Sequence, residues 1–234
     1  MGKIIPVTQL NAVQPARKLC PFDATCPYGG CGTVCIGERR VREGERLMMT
    51  GAVFVVRTGC IKLAARNVCH PWVAFYLPGE IIGLGELAGG IPAPGVATAT
   101  MESRLCRVPY PLLRNRIIER SGFALTMISA YSQELKRLRT ATLRLGKPSE
   151  ARVAALLLEL ATRQAQDDGT TPLDLPMPRN DIARHLNLTP ETVSRVFGRL
   201  AQNRVIEVDD RLVYLLDRQA LAGLAAGRGW TERP

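Results

Sequence analysis

The chain has no apolar run approaching the ~20 residues that a membrane-spanning helix requires. Its start, MGKIIPVTQLNAVQPARKLC, lacks an apolar stretch between a basic segment and a small-residue cleavage site. The expectation is a protein that is neither secreted nor held in a membrane and that works in a reducing cytoplasm. Also missing are a GxGxxG after a strand, a phosphate-binding loop and a CxxC pair. No cofactor motif of that kind supports an electron-transfer or redox enzyme, and none is expected. Internal repeats and low-complexity blocks are absent as well.

The 234 residues exceed one typical domain of roughly 100–150, so two globular units are expected. Net charge is +10, which invites a polyanionic partner. Residues 147–234 carry 12 basic and 12 acidic side chains, so the excess lies in residues 1–146, with 19 basic and 9 acidic. Bulk charge therefore does not locate a contact. Cysteine is more informative. Four of the seven, Cys20, Cys26, Cys31 and Cys35, fall within sixteen residues. In a reducing compartment such clustering points to metal, redox or catalytic chemistry rather than disulfides.

Texture divides the chain into four stretches: a Cys-rich segment without period (1–36), short apolar runs broken by glycine (37–110), a helical pattern (111–146) and a small α/β end (147–234). In the second, VFVVRTGCIKL reads as two strands meeting near Gly59, within a β-sandwich or barrel. In the third, Ala124, Ile128, Tyr131, Leu135, Leu138, Thr142 and Leu145 alternate steps of four and three, the a/d seam of a heptad. That seam must be buried, either against its own domain or in a parallel homodimer. Gly146-Lys147-Pro148 ends the helix, and Ser149 is expected to cap the next one, whose apolar face holds Val153, Leu156, Leu157 and Leu160.

Arg179 to Asp217 carries the most specific pattern. Asn180 is expected to cap a short helix with Ile182, Ala183 and Leu186 on its apolar face. A turn through Asn187 and Leu188 follows, then Thr189 as N-cap and Pro190 at the first helical position. Val193, Val196, Phe197 and Leu200 recur at i, i+3, i+4, i+7 and face a core. Glu191, Ser194 and Arg195 are left on the opposite face in the first turn and a half. A helix-turn-helix offers such residues to the DNA major groove. Arg can bind guanine bidentately, Glu can accept from cytosine, and Ser suits either role. Arg199 and Arg204 lie on flanking surface and suit phosphates. VIEVDDRLVYLL then reads as a two-stranded wing turning at Asp209-Asp210.

These residues resemble the CRP/FNR family of bacterial transcription regulators over roughly residues 20–225. LTPETVSRVFGRL is similar to the E-x-x-S-R recognition helix of the FNR branch, matched by Glu191, Ser194 and Arg195. The resemblance implies an α+β fold: an N-terminal β-roll of the jelly-roll type that binds cyclic nucleotides, a long dimerisation helix and a C-terminal winged helix-turn-helix. It also implies a homodimer on double-stranded DNA with palindromic TTGAT/ATCAA-like half-sites, and RNA polymerase as a further partner.

For the effector, the family offers several ligands. Nucleotide-binding members place an arginine about ten residues after a Gly-Glu pair; here Gly85-Glu86 is present, but no arginine lies between Gly85 and Arg104. A bound phosphate would lack its charge-assisted partner. FNR-type sensors hold a [4Fe–4S] cluster through three N-terminal cysteines and one at the end of the β-roll, and RLCRVPY puts Cys106 at that last place. The resemblance therefore implies four ligands among Cys20, Cys26, Cys31, Cys35 and Cys106. The spacing C-x5-C-x4-C-x3-C departs from the family's usual one, so an all-N-terminal set with Cys106 as a core thiol stays open. So do a structural Zn site, a thiol-only switch and a haem ligated by His70. Cys60 and Cys69 read as buried or incidental thiols, and His185 as a surface or backbone contact. An intact cluster is expected to tie the Cys-rich segment to the start of the long helix and favour the seam, with oxygen or nitric oxide releasing it. Arg137 and Arg139 flank that seam, and their copies on a partner are expected to repel.

Overall fold

A computed structural model of the chain describes residues 37–65, 73–87, 95–119, 121–164 and 171–229. Cys20, Cys26, Cys31 and Cys35, and also Cys69 and His70, lie outside the described residues.

Among the described residues, eight strands form the N-terminal unit: β1 (Gly37–Val41), β2 (Arg46–Leu47), β3 (Ala52–Thr58), β4 (Ile61–Ala65), β5 (Val73–Tyr76), β6 (Ile81–Ile82), β7 (Gly95–Ala99) and β8 (Ser103–Pro109). They pair into two four-stranded sheets, β1-β8-β3-β6 and β2-β7-β4-β5, antiparallel throughout. Successive strand side chains point to opposite faces. Phe54, Val56 and Leu105 therefore turn inward to meet Ile61, Leu63, Tyr76 and Ala97 from the second sheet. Val53, Val55, Cys106 and Val108 turn the other way and are buried too. Two covered faces explain why VFVV runs apolar without alternation. The turn between β3 and β4 sits at Gly59, with φ +87°; a Cβ there would lie 2.2 Å from the Ser103 hydroxyl oxygen and 2.6 Å from the Glu102 carbonyl. Only glycine fits so close to the start of β8.

The cover over that second face is helical. α1 (Tyr110–Glu119) and α2 (Ser121–Arg144) contribute Tyr110, Leu113 and Met127 to the cluster around Cys106. The seam residues of α2 stay in solvent: Ile128 is 60% exposed, Leu135 49%, Leu138 43% and Leu145, just past the helix end, 49%. Leaning on its own domain does not bury that seam.

The C-terminal unit comprises α3 (Ser149–Arg163), β9 (Leu173–Asp174), α4 (Arg179–Leu186), α5 (Pro190–Gln202), β10 (Ile206–Asp209), β11 (Leu212–Leu215) and α6 (Arg218–Ala225). The two expected wing strands carry a third, giving the order β10-β11-β9. Leu156, Leu157 and Leu160 of α3 pack with Ile182, Val193, Leu200, Val213 and Leu221. That core does not stop at the unit's edge. Val73, Phe75 and Leu77 from the outer side of the β-roll belong to it.

Two helix starts fall earlier than the sequence suggests, by one residue for α3 and by two for α4. Pro148 and Pro178 are the N-caps of α3 and α4, so Ser149 and Asn180 lie inside the first turns and cap nothing. Each proline has its φ fixed near the value needed and offers its carbonyl as the first acceptor: Arg152 N–H donates to Pro148 O at 3.0 Å and Ile182 N–H to Pro178 O at 3.0 Å. Among the described residues no helix is long and apolar enough to cross a membrane.

Candidate nucleic-acid interface

The reading head is built on a buried stripe. Val193, Val196, Phe197 and Leu200 of α5 are at most 5% exposed, which rotates Glu191, Ser194, Arg195 and Arg199 into solvent. Three residues join α4 to α5. Asn187 takes the left-handed conformation, φ 51°, that ends α4. Leu188 N–H donates to Ala183 O at 2.9 Å, closing the turn. Thr189 caps α5: its hydroxyl accepts from Thr192 N–H at 3.2 Å, with Pro190 at the first helical position. The cap therefore uses Thr189 inside the protein. The Arg179 guanidinium lies 3.8 Å from the centre of the Phe197 ring, closing the outer end of the stripe.

Charge on this face is partly tied down. Arg199 donates to Glu150 of α3 at 3.2 Å and stays half exposed, so it is ordered toward the outside rather than roaming. The Glu191 carboxyl is held below the usual carboxylate range by the backbone N–H at its own position and then by the Thr189 hydroxyl. An ionised acceptor is thus maintained in the first turn of α5. Beyond the helix, β10 and β11 pair from Ile206–Leu215 to Asp209–Leu212, with Asp210 at φ 53° in the tip.

His185 is no surface residue. Its Nδ1 bonds the Val73 carbonyl at 2.7 Å, across the junction with the β-roll, and its ring meets Phe75 edge-on at 5.5 Å. Since a carbonyl can only accept, Nδ1 carries a proton, and the ring is neutral at pH 7 because its pKa is lowered. Burial pushes its pKa down from 6.5 to about 4, with the Arg144 and Arg163 charges acting in the same direction. The sign follows from linkage. Above pH 6.5 both folded and unfolded chains hold a neutral ring. Below it the unfolded chain gains a proton that the folded one refuses, so stability is lost as pH falls from 6.5 toward 4. A shift of this size corresponds to about 3 kcal/mol. Urea midpoints measured at pH 7 and 4.5 are expected to fall more for the wild type than for His185→Gln. Equal falls in both would contradict the buried neutral ring.

Cys106 sits on β8 with its side chain 2% exposed, directly opposite Glu38 of β1. Cys60 is a second buried thiol, its pKa pushed up to about 12 by burial. Among the described residues no three His, Cys, Asp or Glu side chains gather as a metal site. A cavity of about 700 Å³ opens between α2 and the turn Gly83–Gly85, lined by Tyr76, Ile81, Tyr131, Leu135 and Glu134 among others. Its described lining holds a carboxylate and no cation, which suits an apolar filling better than a phosphate.

Arg137 departs from its expected role. Instead of adding free charge beside the seam, it is paired with Glu80 of the β-roll at 2.9 Å and with Glu134, and it stacks over Tyr76. No local signal announces this pairing. Glu80 follows Pro78-Gly79 and reads as a turn residue, and nothing local pairs it with residues 57 and 83 positions away.

A short helix, a tight left-handed turn, a capped second helix with a polar N-terminal face and a small antiparallel wing make this a winged helix-turn-helix protein. Residues 151–224 match the Crp-like helix-turn-helix domain. Over 197 residues the chain is 30% identical to the transcriptional activator protein FnrA of Stutzerimonas stutzeri, covering 81% of this chain and 80% of that one. It is 29% identical to the fumarate and nitrate reduction regulatory protein of Vibrio cholerae, covering 80% and 78%. Among solved structures, FixK2 from Bradyrhizobium japonicum superposes with a TM-score of 0.72 at 26% identity, covering 84% of this chain and 98% of that one. The chain belongs to the CRP/FNR family of transcription regulators, in its FNR-like branch.

Proposed function

We propose that the protein is a homodimeric, cytoplasmic regulator that binds palindromic TTGAT/ATCAA-like DNA and answers to oxygen or nitric oxide through a cysteine-held [4Fe–4S] cluster. The observation that carries the DNA reading is the exposed face Glu191, Ser194 and Arg195 over a fully buried α5 stripe. Two such helices related by a two-fold axis suit half-sites one helical turn apart. Arg199 would meet phosphate, Thr189 positions the helix, and RNA polymerase is the expected onward partner.

The dimer reading rests on the seam. Ile128, Leu135, Leu138 and Leu145 stand exposed at heptad spacing, with Tyr131 and Thr142 between them. A second copy would cover them as a parallel coiled coil. Arg137 does not oppose it, because its charge is met within its own chain.

Cys106 fits a role as one ligand. It is a soft donor buried from water, and β1 runs antiparallel beside it. Cys35 precedes Glu38 by three residues, at most about 10 Å of chain. The relatives' names, fumarate and nitrate reduction among them, point to the same physiology. When bound, a cluster of this type supplies an oxygen-reactive centre. Engagement of Cys106 would act on β8, on the face where Met127 of α2 packs in the same cluster as Cys106. The position of α2, and with it the seam, is then coupled to whether Cys106 is engaged.

Anaerobically purified protein is expected to show broad absorption near ~400 nm and about four irons per chain. Both should bleach in air together with loss of palindrome binding. Cys106→Ala is expected to lower iron content while the chain still folds. Zinc without iron, with DNA binding indifferent to air, would replace sensing by a structural metal site.

A further inference from the structure

One largely buried carboxylate touches the β-roll, α2 and α3 at once. The Glu80 Oε2 accepts from Leu77 N–H of the β-roll at 2.8 Å, from Arg137 Nη1 of α2 at 2.9 Å and from Arg163 Nη2 of α3 at 2.7 Å. Its Oε1 accepts from Arg163 Nε at 2.9 Å, completing a two-pronged grip on that guanidinium. Arg163 also donates to the Phe75 carbonyl at 2.5 Å. The Glu80 and Arg163 side chains are 12% and 10% exposed. Burial alone would raise the Glu80 pKa, yet the Arg163 and Arg137 charges outweigh it and hold the carboxyl below its usual range.

The placement matters because of what each arginine belongs to. Arg137 lies between the seam residues Leu135 and Leu138. Arg163 ends the helix whose other face carries the reading head, through Leu156 and Leu160. Between α2 and α3 the chain is only Leu145 to Pro148, containing Gly146. Arg144 pairs with Glu159 directly across this joint, but Glu80 is the group that references both helices to the β-roll.

Resting on the homodimer reading above, we infer that Glu80 is a positioning residue that fixes the angle of the DNA-reading unit relative to the α2 seam and so sets the half-site spacing the dimer accepts. Neutralising it leaves two guanidiniums facing each other around an amide, an arrangement that favours opening of the joint. With the joint loosened, the apolar contacts of Val73, Phe75 and Leu77 still hold each head to its β-roll, but the separation of the two heads is less sharply fixed while each keeps its own recognition face.

The test uses the full-length protein and palindromes whose spacer is native or longer by two base pairs, read by fluorescence anisotropy at fixed salt. The longer spacer displaces one half-site along and around the duplex, and wild-type affinity is expected to fall about tenfold or more, comparable to a mismatched base pair. In Glu80→Gln that penalty is expected to shrink to within about threefold, while the penalty for changing a guanine in the half-site stays as in wild type. Arg163→Lys, which keeps the charge and loses the fork, should move in the same direction and decides the matter where Glu80→Gln does not fold. Variants that fold and keep the wild-type spacing penalty would refute the positioning role. A wild type indifferent to spacing would refute the two-fold dimer reading itself.

Discussion

Arg195→Ala is expected to remove specific binding to the palindrome while leaving the fold intact. Arg195 is exposed on the second turn of α5, and the four residues that hold that helix to its core are Val193, Val196, Phe197 and Leu200. Truncation touches none of them, so thermal stability should change by no more than about 0.5 kcal/mol. A bidentate arginine–guanine contact is worth about 1–3 kcal/mol of discrimination. Two copies act on one palindrome, so the loss is about 2–6 kcal/mol, roughly 30- to 10⁴-fold in affinity. Arg195→Lys separates charge from geometry. It should keep salt-dependent, sequence-blind binding and lose the preference for guanine. Anisotropy titrations on cognate and guanine-substituted duplexes distinguish these outcomes. An Arg195→Ala protein with undiminished preference would mean that α5 is not the reading helix.

Leu135→Glu should convert the protein to a monomer. The side chain is already half exposed in the isolated chain, so the substitution costs the monomer little. In a parallel pair the two copies of position 135 face each other across the seam. The dimer would lose the burial of the exposed half of two leucines, each about 0.7–1.5 kcal/mol, and gain two like charges in an apolar strip. Sedimentation equilibrium at micromolar concentration should then give the mass of one chain. Palindrome affinity should fall by about a hundredfold or more, because the second head no longer arrives with the first. Affinity for a lone half-site should be unchanged. A variant that still sediments as a dimer would assign the interface to another surface.

The DNA-reading unit was legible because every signal in it is local. Thr189-Pro190 fixes where α5 begins, the i, i+3, i+4, i+7 spacing fixes which face is buried, and exposure of Glu191, Ser194 and Arg195 follows by rotation alone. The strands flanking Gly59 were legible for a similar reason: an apolar run, a glycine and a second run leave one solution. The helix starts at 149 and 179 fall one and two residues before those expected from Ser149 and Asn180, because each competes with a proline just upstream and backbone geometry favours the proline.

What depended on the tertiary structure is how the parts are tied. The heptad pattern of α2 is local, but whether its own β-roll covers the seam is a question of packing, and it leaves Ile128 and Leu135 in water. Charge beside the seam looked repulsive in sequence because Arg137 and Arg139 are neighbours there. Folding brings Glu80 to Arg137 and Arg163 from 57 and 83 residues away, and a carboxylate held so cancels a charge that sequence can only count. His185 is likewise polar by composition and buried by the meeting of α4 with β5. Periodicity and capping are properties of a few consecutive residues, so the sequence alone determines them; pairing of buried charges depends on loop closure over long stretches, and only the packed chain decides it.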